Sequence, residues 1–458
     1  MKFTNLLNRR LGLLGLLTFI GSGYAADHKT YYQDVKPIMD ANCVGCHSED
    51  KVAFPLEKFE QVYPLRFAIK SAIEAGRMPI WLPAPGHREY LNDLSLTSDE
   101  KQVFLDWFQG GFQAGDPNHQ RDGEPKYKDI EPNLIMPVFS DNGSYLPNQS
   151  KKDDYRCFIN EWPYDERKYV TAYQARPGNL RVAHHLIAYV IKPGLAEAIR
   201  YLEATEPGRG YQCFGGAYPD RLSRESVRAE IEAKFPGTLA QLSTGDYSVG
   251  GWAPGTGGRV LPDQTGTLIE PGSLIVTQMH YYSAFAPGES DSGSMTWFKV
   301  EDQVLHQGSR TNITDSRWLA NGDQNTMWIP PGSRKQFRAE KSLYRYFLDE
   351  ENFRPEAGKF NTVTIYSSNL HMHSYGASAV GYMMKDGARD VLLEIPRWDL
   401  NWQTNFEFKV PLVFTREEAK EIKVGVECEF YNPQDYAIRG GFGSDDEMCF
   451  NFMYMVFR

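Results

Sequence analysis

The sequence lacks the features that indicate a nucleic-acid-binding or membrane-spanning protein. Lys and Arg number 49 against 59 Asp and Glu, a formal net charge of −10, and a negative surface repels a phosphate backbone. Beyond the N-terminal segment, no apolar run is long enough to cross a bilayer. Cysteine and histidine are scarce, at six and ten residues. The positions at which they cluster are therefore informative.

The N-terminal segment has the composition of a secretory signal peptide. Lys2, Arg9 and Arg10 precede an apolar stretch over 11–20, and small residues follow. We expect residues 1–25 to be removed. The mature protein is then expected to be periplasmic or secreted.

A C-x-x-C-H motif, Cys43-Val-Gly-Cys46-His47, follows soon after. A zinc site would need two more ligands at suitable spacing, and the sequence contains no second C-x-x-C and no H-x-x-x-H. A disulfide loop is the other alternative. The motif is typical of covalent haem c attachment, in which the cysteines form thioethers and the histidine binds iron.

Three segments with helical periodicity surround this motif. They are "TYYQDVKPIMDANC", "YPLRFAIKSAIEAG" and "LTSDEKQVFLDWFQGG", the last with a capping box from Thr97 to Glu100. Three helices around C-x-x-C-H predict a small all-α cytochrome c domain over residues 27–114. The following residues 115–133 are rich in Gly, Pro and charge, which is typical of a linker.

The second axial iron ligand is predicted to be Met78. Met39 lies four residues before Cys43, on the attachment side, and cannot easily reach the opposite face of the haem. Met78 lies beyond a helix and beside Pro79, and "GRMP" resembles a stretch of other cytochrome c domains. The alternative is that Met78 only packs on the haem edge and leaves a coordination position open. A thioether ligand would raise the haem potential.

The remaining chain of over 300 residues is too large for one core, so two domains are expected. It contains short apolar or alternating runs bounded by Gly, Pro, Asn and Asp, with one helix at about 223–235. Such runs predict antiparallel β-sandwiches. The main ones are "RVAHHLIAYVIKPG", "GSLIVTQMHYYSAF", "NTVTIYSSNLHMHSYGASAVGYMM", "EIKVGVECEFYN" and "MCFNFMYMVF".

Five of the ten histidines fall on these predicted strands. His371-Met-His373 places two imidazoles on one strand face, because the strand period is two residues. The adjacent His184 and His185 point to opposite faces of a regular strand. They can bind one metal only if the backbone is distorted or if they coordinate through Nδ1. A lone strand histidine such as His280 is more often a hydrogen-bonded core residue.

Four motifs in order, "VAHHLIAYV", "GSLIVTQMHYY", "LHMHSYG" and "GGFGSDDEMCFNF", resemble the copper type II, ascorbate-dependent monooxygenases. This family includes peptidylglycine α-hydroxylating monooxygenase and dopamine β-monooxygenase. The resemblance covers about residues 134–458. It implies two jelly-roll-like β-sandwiches, 134–290 and 291–458, that face each other across a solvent-filled cleft. Its implied partners are dioxygen, a small organic substrate and an external electron donor, either ascorbate or a redox protein.

The resemblance also implies two copper ions with separate ligand sets. Imidazoles suit copper in both oxidation states, and a thioether favours Cu(I), the form that meets dioxygen. The implied ligands are His184, His185 and His280 for an electron-transfer copper, and His371, His373 and Met448 for a catalytic copper.

The other four cysteines are expected to form disulfides, because an exported protein normally pairs them. Cys157, Cys213, Cys428 and Cys449 allow three connectivities, and free thiols are the alternative. The family pattern implies the pairs Cys157–Cys213 and Cys428–Cys449.

Two departures from the family concern the substrate. The peptide-amidating branch has an arginine at the position of Asn369 and a tyrosine at that of Phe452. A glycine-extended peptide would lose its anchor here, since a buried carboxylate without a partner is costly.

We therefore expect a haem- and copper-containing monooxygenase acting on another organic substrate. The haem would relay electrons to the three-histidine copper. The alternatives are a non-catalytic haem and copper electron-transfer or copper-handling protein, and a sensor or assembly factor.

Overall fold

The computed structural model describes residues 28–458 apart from positions 50, 52, 243, 244, 254, 255, 263, 321, 401 and 444. The predicted signal peptide lies outside the described residues. The α-helices are α1 Lys36–Asn42, α2 Phe59–Glu74, α3 Ser98–Gln109, α4 Pro193–Ala204, α5 Glu225–Lys234, α6 Thr238–Gln241, α7 Leu343–Phe353 and α8 Glu418–Glu421. A π-helix covers Tyr31–Val35, and 3₁₀ turns cover Pro117–His119, Asp220–Ser223, Ser283–Phe285, Ser316–Leu319, Gly322–Gln324 and Pro355–Ala357.

The described part of the chain is mainly β, as predicted. The first eleven strands are β1 Leu134–Pro137, β2 Ser144–Tyr145, β3 Asp153–Glu161, β4 Lys168–Arg176, β5 Ala183–Ile191, β6 Tyr211–Gln212, β7 Asp246–Trp252, β8 Arg259–Val260, β9 Thr265–Ile269, β10 Leu274–Tyr282 and β11 Asp291–Ser292. The others are β12 Met295–Glu301, β13 His306–Ile313, β14 Trp328–Ile329, β15 Arg334–Ser342, β16 Thr362–His371, β17 Gly376–Lys385, β18 Ala388–Ile395, β19 Phe406–Thr415, β20 Lys423–Tyr431, β21 Ile438–Arg439 and β22 Phe450–Phe457.

The N-terminal region is helical where the sequence predicts three helices. The π-helix runs directly into α1, and α2 and α3 follow. The predicted capping box opens α3, because Thr97 Oγ1 accepts a hydrogen bond from the Glu100 amide at 3.2 Å. Tyr31, Phe104 and Trp107 are fully buried in a core of their own.

A segment after α2 attaches this helical region to the β-rich part of the chain. Tyr90 forms an antiparallel bridge with Phe408 of β19. The Ala84 amide donates to the Glu394 carbonyl at 2.8 Å. Tyr90 also packs into the core of the C-terminal sandwich. The helical region is therefore anchored to that sandwich by both backbone bonds and apolar contacts.

One long sheet runs through both β-rich halves of the chain. Its strand order is β1-β12-β4-β9-β13-β22-β16-β19, with β8 paired to β4. The two halves join where β9 pairs in parallel with β13, His306 opposite Thr265 and Gln307 opposite Gly266. The N-terminal half of this sheet is covered by the five-stranded sheet β6-β3-β10-β5-β7, and the C-terminal half by the four-stranded sheet β15-β20-β17-β18. Buried apolar side chains of facing sheets pack together in each half.

Some elements differ from the sequence-based expectation. The predicted helix at 223–235 is α5, but α4 and α7 are additional helices in the β-rich region. Leu195 and Ile199 of α4 are buried against the outer face of the five-stranded sheet. The strand β12 pairs with β1 and β4, so a domain boundary at 290–291 separates it from its partner strands.

Both disulfides implied by the resemblance are present, Cys157–Cys213 and Cys428–Cys449. The first joins β3 to the segment after β6. The second joins β20 to the residue before β22. Among the described residues, no helix has the length and apolar character needed to span a membrane.

Candidate metal centres

Three histidines converge where β5 and β10 pair. His280 lies opposite His185, but the next pair is Tyr281 with Ala183, so His184 is the extra residue of a β-bulge. The bulge lets both adjacent histidines turn to the same side. His280 Nδ1 lies 3.2 Å from the Nδ1 atoms of both His184 and His185. Adjacent histidines can share a metal if the backbone is distorted or if they coordinate through Nδ1; here the backbone is distorted by the bulge, and the Nδ1 atoms are the ones that lie close together.

The protonation of these imidazoles favours metal binding. His280 Nε2–H donates to Asp153 Oδ1 at 2.8 Å, and since a carboxylate only accepts, the Nδ1 lone pair of a neutral His280 is free. Burial lowers the pKa of His184 to about 4 and holds the pKa of His185 well below its usual value. Burial also lowers the pKa of His280. Burial therefore favours the neutral form of all three rings, and their Nδ1 atoms lie close together.

A second pair of histidines lies at the end of β16. His371 is the last residue of the strand and His373 follows in the turn, with ring centroids 5.3 Å apart. His371 Nδ1 donates to Gln403 Oε1, and His373 Nδ1 donates to the Asp446 carbonyl at 3.0 Å. Burial lowers the pKa of His373 to about 3 and also lowers that of His371. Both neutral rings therefore keep the Nε2 lone pair for another partner.

Met448 and its neighbours are tied to this turn by a buried carboxylate. Glu447 accepts the backbone amides of His373 at 2.9 Å, Tyr375 at 2.5 Å and Met448 at 3.2 Å. Its side chain is fully buried, and this burial raises its pKa to about 8. Glu447 was not predicted as a site residue. Nothing in "GSDDEMC" distinguishes it from its acidic neighbours Asp445 and Asp446, and acidic residues in such a polar segment are normally expected at the surface.

Both histidine sets open into one cavity between the two sandwiches. The cavity has a volume of about 1020 Å³. Its lining includes His184 and His185 from one side and His371, His373 and Met448 from the other. His280 lies behind the first pair, almost without exposed surface. Five of the six predicted copper ligands thus line a single cavity.

Three residues of the predicted haem site, Cys43, Cys46 and His47, lie in the turn after α1. Cys43 and Cys46 are free thiols, whereas the other four cysteines form disulfides. His47 Nδ1 donates to the Phe54 carbonyl at 2.9 Å, which leaves Nε2 unbonded by that contact. Met78 follows α2 with its side chain 39% exposed, while Met39 is buried in the helical core.

The C-x-x-C-H turn lies against the β-rich part of the chain. Cys46 and Tyr127 both pack on the core of the C-terminal sandwich. A smaller cavity of about 240 Å³ is lined by Cys46, Tyr127 and Trp252 among others. Trp252 also lines the large cavity, and it lies opposite Leu186, the neighbour of His185. A short chain of packed residues therefore separates the cysteine motif from the three histidines.

Residues 350–457 match the family model described as copper type II ascorbate-dependent monooxygenase, C-terminal domain. This segment is similar to that domain. The match supports copper-dependent, oxygen-incorporating chemistry, and the matching segment contains His371, His373 and Met448. No curated protein matches the chain.

Similarity to solved structures is weak. PNGF-II matches with a TM-score of 0.25 and 8% identity over 71% of this chain and 65% of that one, less than two thirds of its length. The VP2 subviral particle of infectious bursal disease virus matches with a TM-score of 0.15 and 10% identity over 72% of this chain and 73% of that one. Likenesses at this level carry no argument about fold or function.

Proposed function

We propose that this protein is a copper-dependent monooxygenase that hydroxylates a C–H bond of a small organic substrate. The net reaction consumes dioxygen, two electrons and two protons, and it yields the alcohol and water. One observation carries the proposal. Side chains of the kind that bind copper line one cavity from both sandwiches, His184 and His185 from one and His371, His373 and Met448 from the other. The second group lies in the segment that matches the monooxygenase domain.

The residues fit the two copper ions that the family implies. His184, His185 and His280 would hold one ion through Nδ1. The other would be held by His371 and His373 through Nε2, together with the Met448 thioether. When bound, copper supplies one-electron redox chemistry and the activation of dioxygen.

The surrounding residues keep these ligands in one tautomer and orientation. Asp153 accepts a hydrogen bond from a ring N–H of His280, and Gln403 accepts one from a ring N–H of His371. The opposite ring nitrogen of each histidine therefore presents its lone pair. The apolar rings of Phe450 and Phe452 stack with centroids 5.2 Å apart and line the cavity near His371. They would contact the apolar part of the substrate and exclude water from it.

For the helical region we propose a covalently attached haem c. Cys43 and Cys46 would form the thioethers, with His47 and Met78 as axial ligands. The two unpaired thiols support this assignment, as does the Nδ1 bond of His47, which is how iron-ligating histidines are commonly oriented. The role proposed for the haem is to pass electrons from ascorbate or a redox protein to the three-histidine copper. Cys46, Tyr127 and Trp252 line one small cavity, and Trp252 lies opposite the neighbour of His185, so the motif is close enough to the three histidines to support such a transfer.

The proposed site of action is the periplasm or the exterior of the cell. Two disulfides are typical of proteins that fold in an oxidising compartment. The predicted signal peptide is consistent with the same location.

The test compares metal content and coupled turnover in two variants. We expect two coppers and one haem per purified chain. Met448→Ala should abolish product formation while the three-histidine copper still binds and cycles. His280→Ala should lower product formed per oxygen consumed, because the second electron no longer arrives. Near-normal coupled turnover in Met448→Ala would contradict the catalytic assignment and favour a non-catalytic electron-transfer or copper-handling role.

A further inference from the structure

Arg310 lies on the wall of the large cavity, on the same sheet face as His371. It is in the middle of β13, opposite Tyr454, and Asn312 two residues further along lies opposite Phe452. Phe452 in turn lies opposite Asn369 of β16. Because side chains alternate along strands, this register places Arg310, Phe452 and His371 on one face.

The guanidinium of Arg310 has no acidic partner among the described residues. It makes no hydrogen bond to them, and its Nε is buried without an acceptor. Its close contact is the ring of Phe452, whose centroid lies 4.9 Å away. The nearby carboxylate of Glu407 is already paired with Arg259, at 2.9 Å to Nε and 2.8 Å to a terminal nitrogen.

This arrangement leaves the Arg310 guanidinium at the cavity wall without a carboxylate in contact. The nearby carboxylate of Glu407 is engaged by Arg259. Desolvation lowers the pKa of Arg310 to about 10, so the group is still charged near pH 7. A partly buried, desolvated cation without an acidic contact is costly, and a bound anion would offset that cost.

The other cations that line the cavity each contact a carboxylate. Lys341 and Arg345 both pair with Asp349, at 2.8 and 2.9 Å. Arg310 differs from them in having no carboxylate in contact; the Phe452 ring lies beneath it, and the Tyr173 hydroxyl is buried nearby without a hydrogen-bond partner.

We propose that Arg310 binds the acidic group of the substrate, which is therefore an organic carboxylate with an apolar body. That the ligand is the substrate rests on the function proposed above. The family's substrate-binding arginine is replaced here by Asn369, so this anchor would be a different residue on a different strand. The acid would lie over β13, and the apolar body would extend along Phe452 and Phe450 toward His371.

The experiment measures binding separately from oxygen chemistry. Phenylalkanoates with side chains of increasing length, from phenylacetate to 6-phenylhexanoate, are titrated calorimetrically into the full-length protein, with and without copper. Each acid is compared with its uncharged amide. For the best length we expect the acid to bind about 10- to 100-fold more tightly than the amide, the usual worth of hydrogen bonds to a charged partner.

Variants test whether the preference for acid over amide depends on Arg310. Arg310→Met should abolish the preference for acid over amide while leaving amide affinity within about twofold, and Arg310→Lys should retain part of it. Arg345→Met is the matched control, because it removes from the same cavity a cation that already contacts a carboxylate, and it should leave the preference for acid over amide unchanged. Thermal unfolding checks that each variant is folded.

The proposal is overturned if no acid binds better than its amide, or if Arg310→Met keeps the preference. Its failure is distinct from failure of the monooxygenase proposal. An acid preference without oxygen-dependent product would retain the anion site and contradict the enzyme function. Hydroxylation of neutral compounds without any preference for acids would support the enzyme function and contradict the anion site.

Discussion

His280 Nε2 lies 2.8 Å from Asp153 Oδ1, while its Nδ1 lies 3.2 Å from the Nδ1 atoms of His184 and His185. Asp153 belongs to β3, which pairs with β10 on the side away from β5. The carboxylate therefore fixes the His280 ring on the side away from the other two imidazoles, so that the Nδ1 atom of His280 faces them. Metal binding through His280 Nδ1 would require this tautomer.

Asp153→Ala should weaken copper binding at the three-histidine cluster about 10- to 100-fold, the usual effect of removing a carboxylate that orients a ligating histidine. Competition with a copper chelator gives the affinity of each site. Glu161→Ala is the control, because this residue is at the exposed end of the same strand, where it pairs with Arg200. Equal copper affinity in Asp153→Ala and wild type would contradict the orienting role.

Short-range patterns were sufficient to predict mainly β structure and two imidazoles on one strand face at His371 and His373, whereas the grouping of His280 with His184 and His185 was implied only by the family resemblance. The same patterns left the geometry of His184 and His185 open. The bulge that turns them to one side arises from the register between β5 and β10, which are separated by more than 80 residues of chain. Local periodicity contains no information on that register.

Arg310 shows a second limit of sequence reasoning. The strand "HQGSRTNI" is polar and would normally be assigned to a solvent-facing position. It is instead internal to the long sheet, because β13 pairs with β9 on one side and β22 on the other. Only the joining of the two sandwiches through one sheet reveals that Arg310 faces a cavity.

Removal of the Cys428–Cys449 disulfide should affect the second copper site selectively. The bridge closes a loop with a sequence separation of 21, for which chain entropy predicts a loss of about 3 kcal/mol in unfolding free energy. Cys449 also adjoins Met448, so the thioether should lose its fixed position. We expect the Cys428→Ala/Cys449→Ala double variant to bind copper weakly at His371 and His373.

Denaturant titration and copper content by site measure these effects. The Cys157→Ala/Cys213→Ala variant is the comparison, because that bridge lies in the other sandwich. It should lower stability without loosening the Met448 site. If both double variants lose the same site, the selective effect predicted for Cys428–Cys449 is wrong.

Met78→Ala should leave covalent haem attachment intact but change the low-spin absorption spectrum and lower the reduction potential, because a thioether ligand raises it. Met39→Leu is the control, since Met39 is buried in the helical core. Replacing Cys43 or Cys46 should weaken or abolish covalent attachment. An unchanged spectrum in Met78→Ala would assign the axial role to another residue.

Tyr155 contacts a histidine of the first candidate copper site and the loop that leads to Met448 of the second. Its ring stacks on His280 with centroids 4.0 Å apart and an interplanar angle of 8°. Its hydroxyl donates at 2.9 Å to the carbonyl of Phe442, in the segment 440–447 that leads to Met448. An ion pair between Lys152 and Asp445 makes a second connection nearby. Tyr155 is therefore a direct link between one sandwich and the loop that positions the thioether of the other.

Tyr155→Phe should separate these two roles, because it keeps the stacking and removes only the hydrogen bond. Copper content at both sites should be unchanged. Loss of the bond should cost about 1 kcal/mol locally, and hydrogen exchange of segment 440–447 should become several-fold faster. Product formed per oxygen consumed should fall, because the two ligand sets are no longer held in fixed relation. Tyr155→Leu should in addition weaken copper binding at His280. Wild-type exchange and coupling in Tyr155→Phe would mean that the apolar contact of Phe214 with Phe442 and the Lys152 ion pair hold the loop without this hydrogen bond.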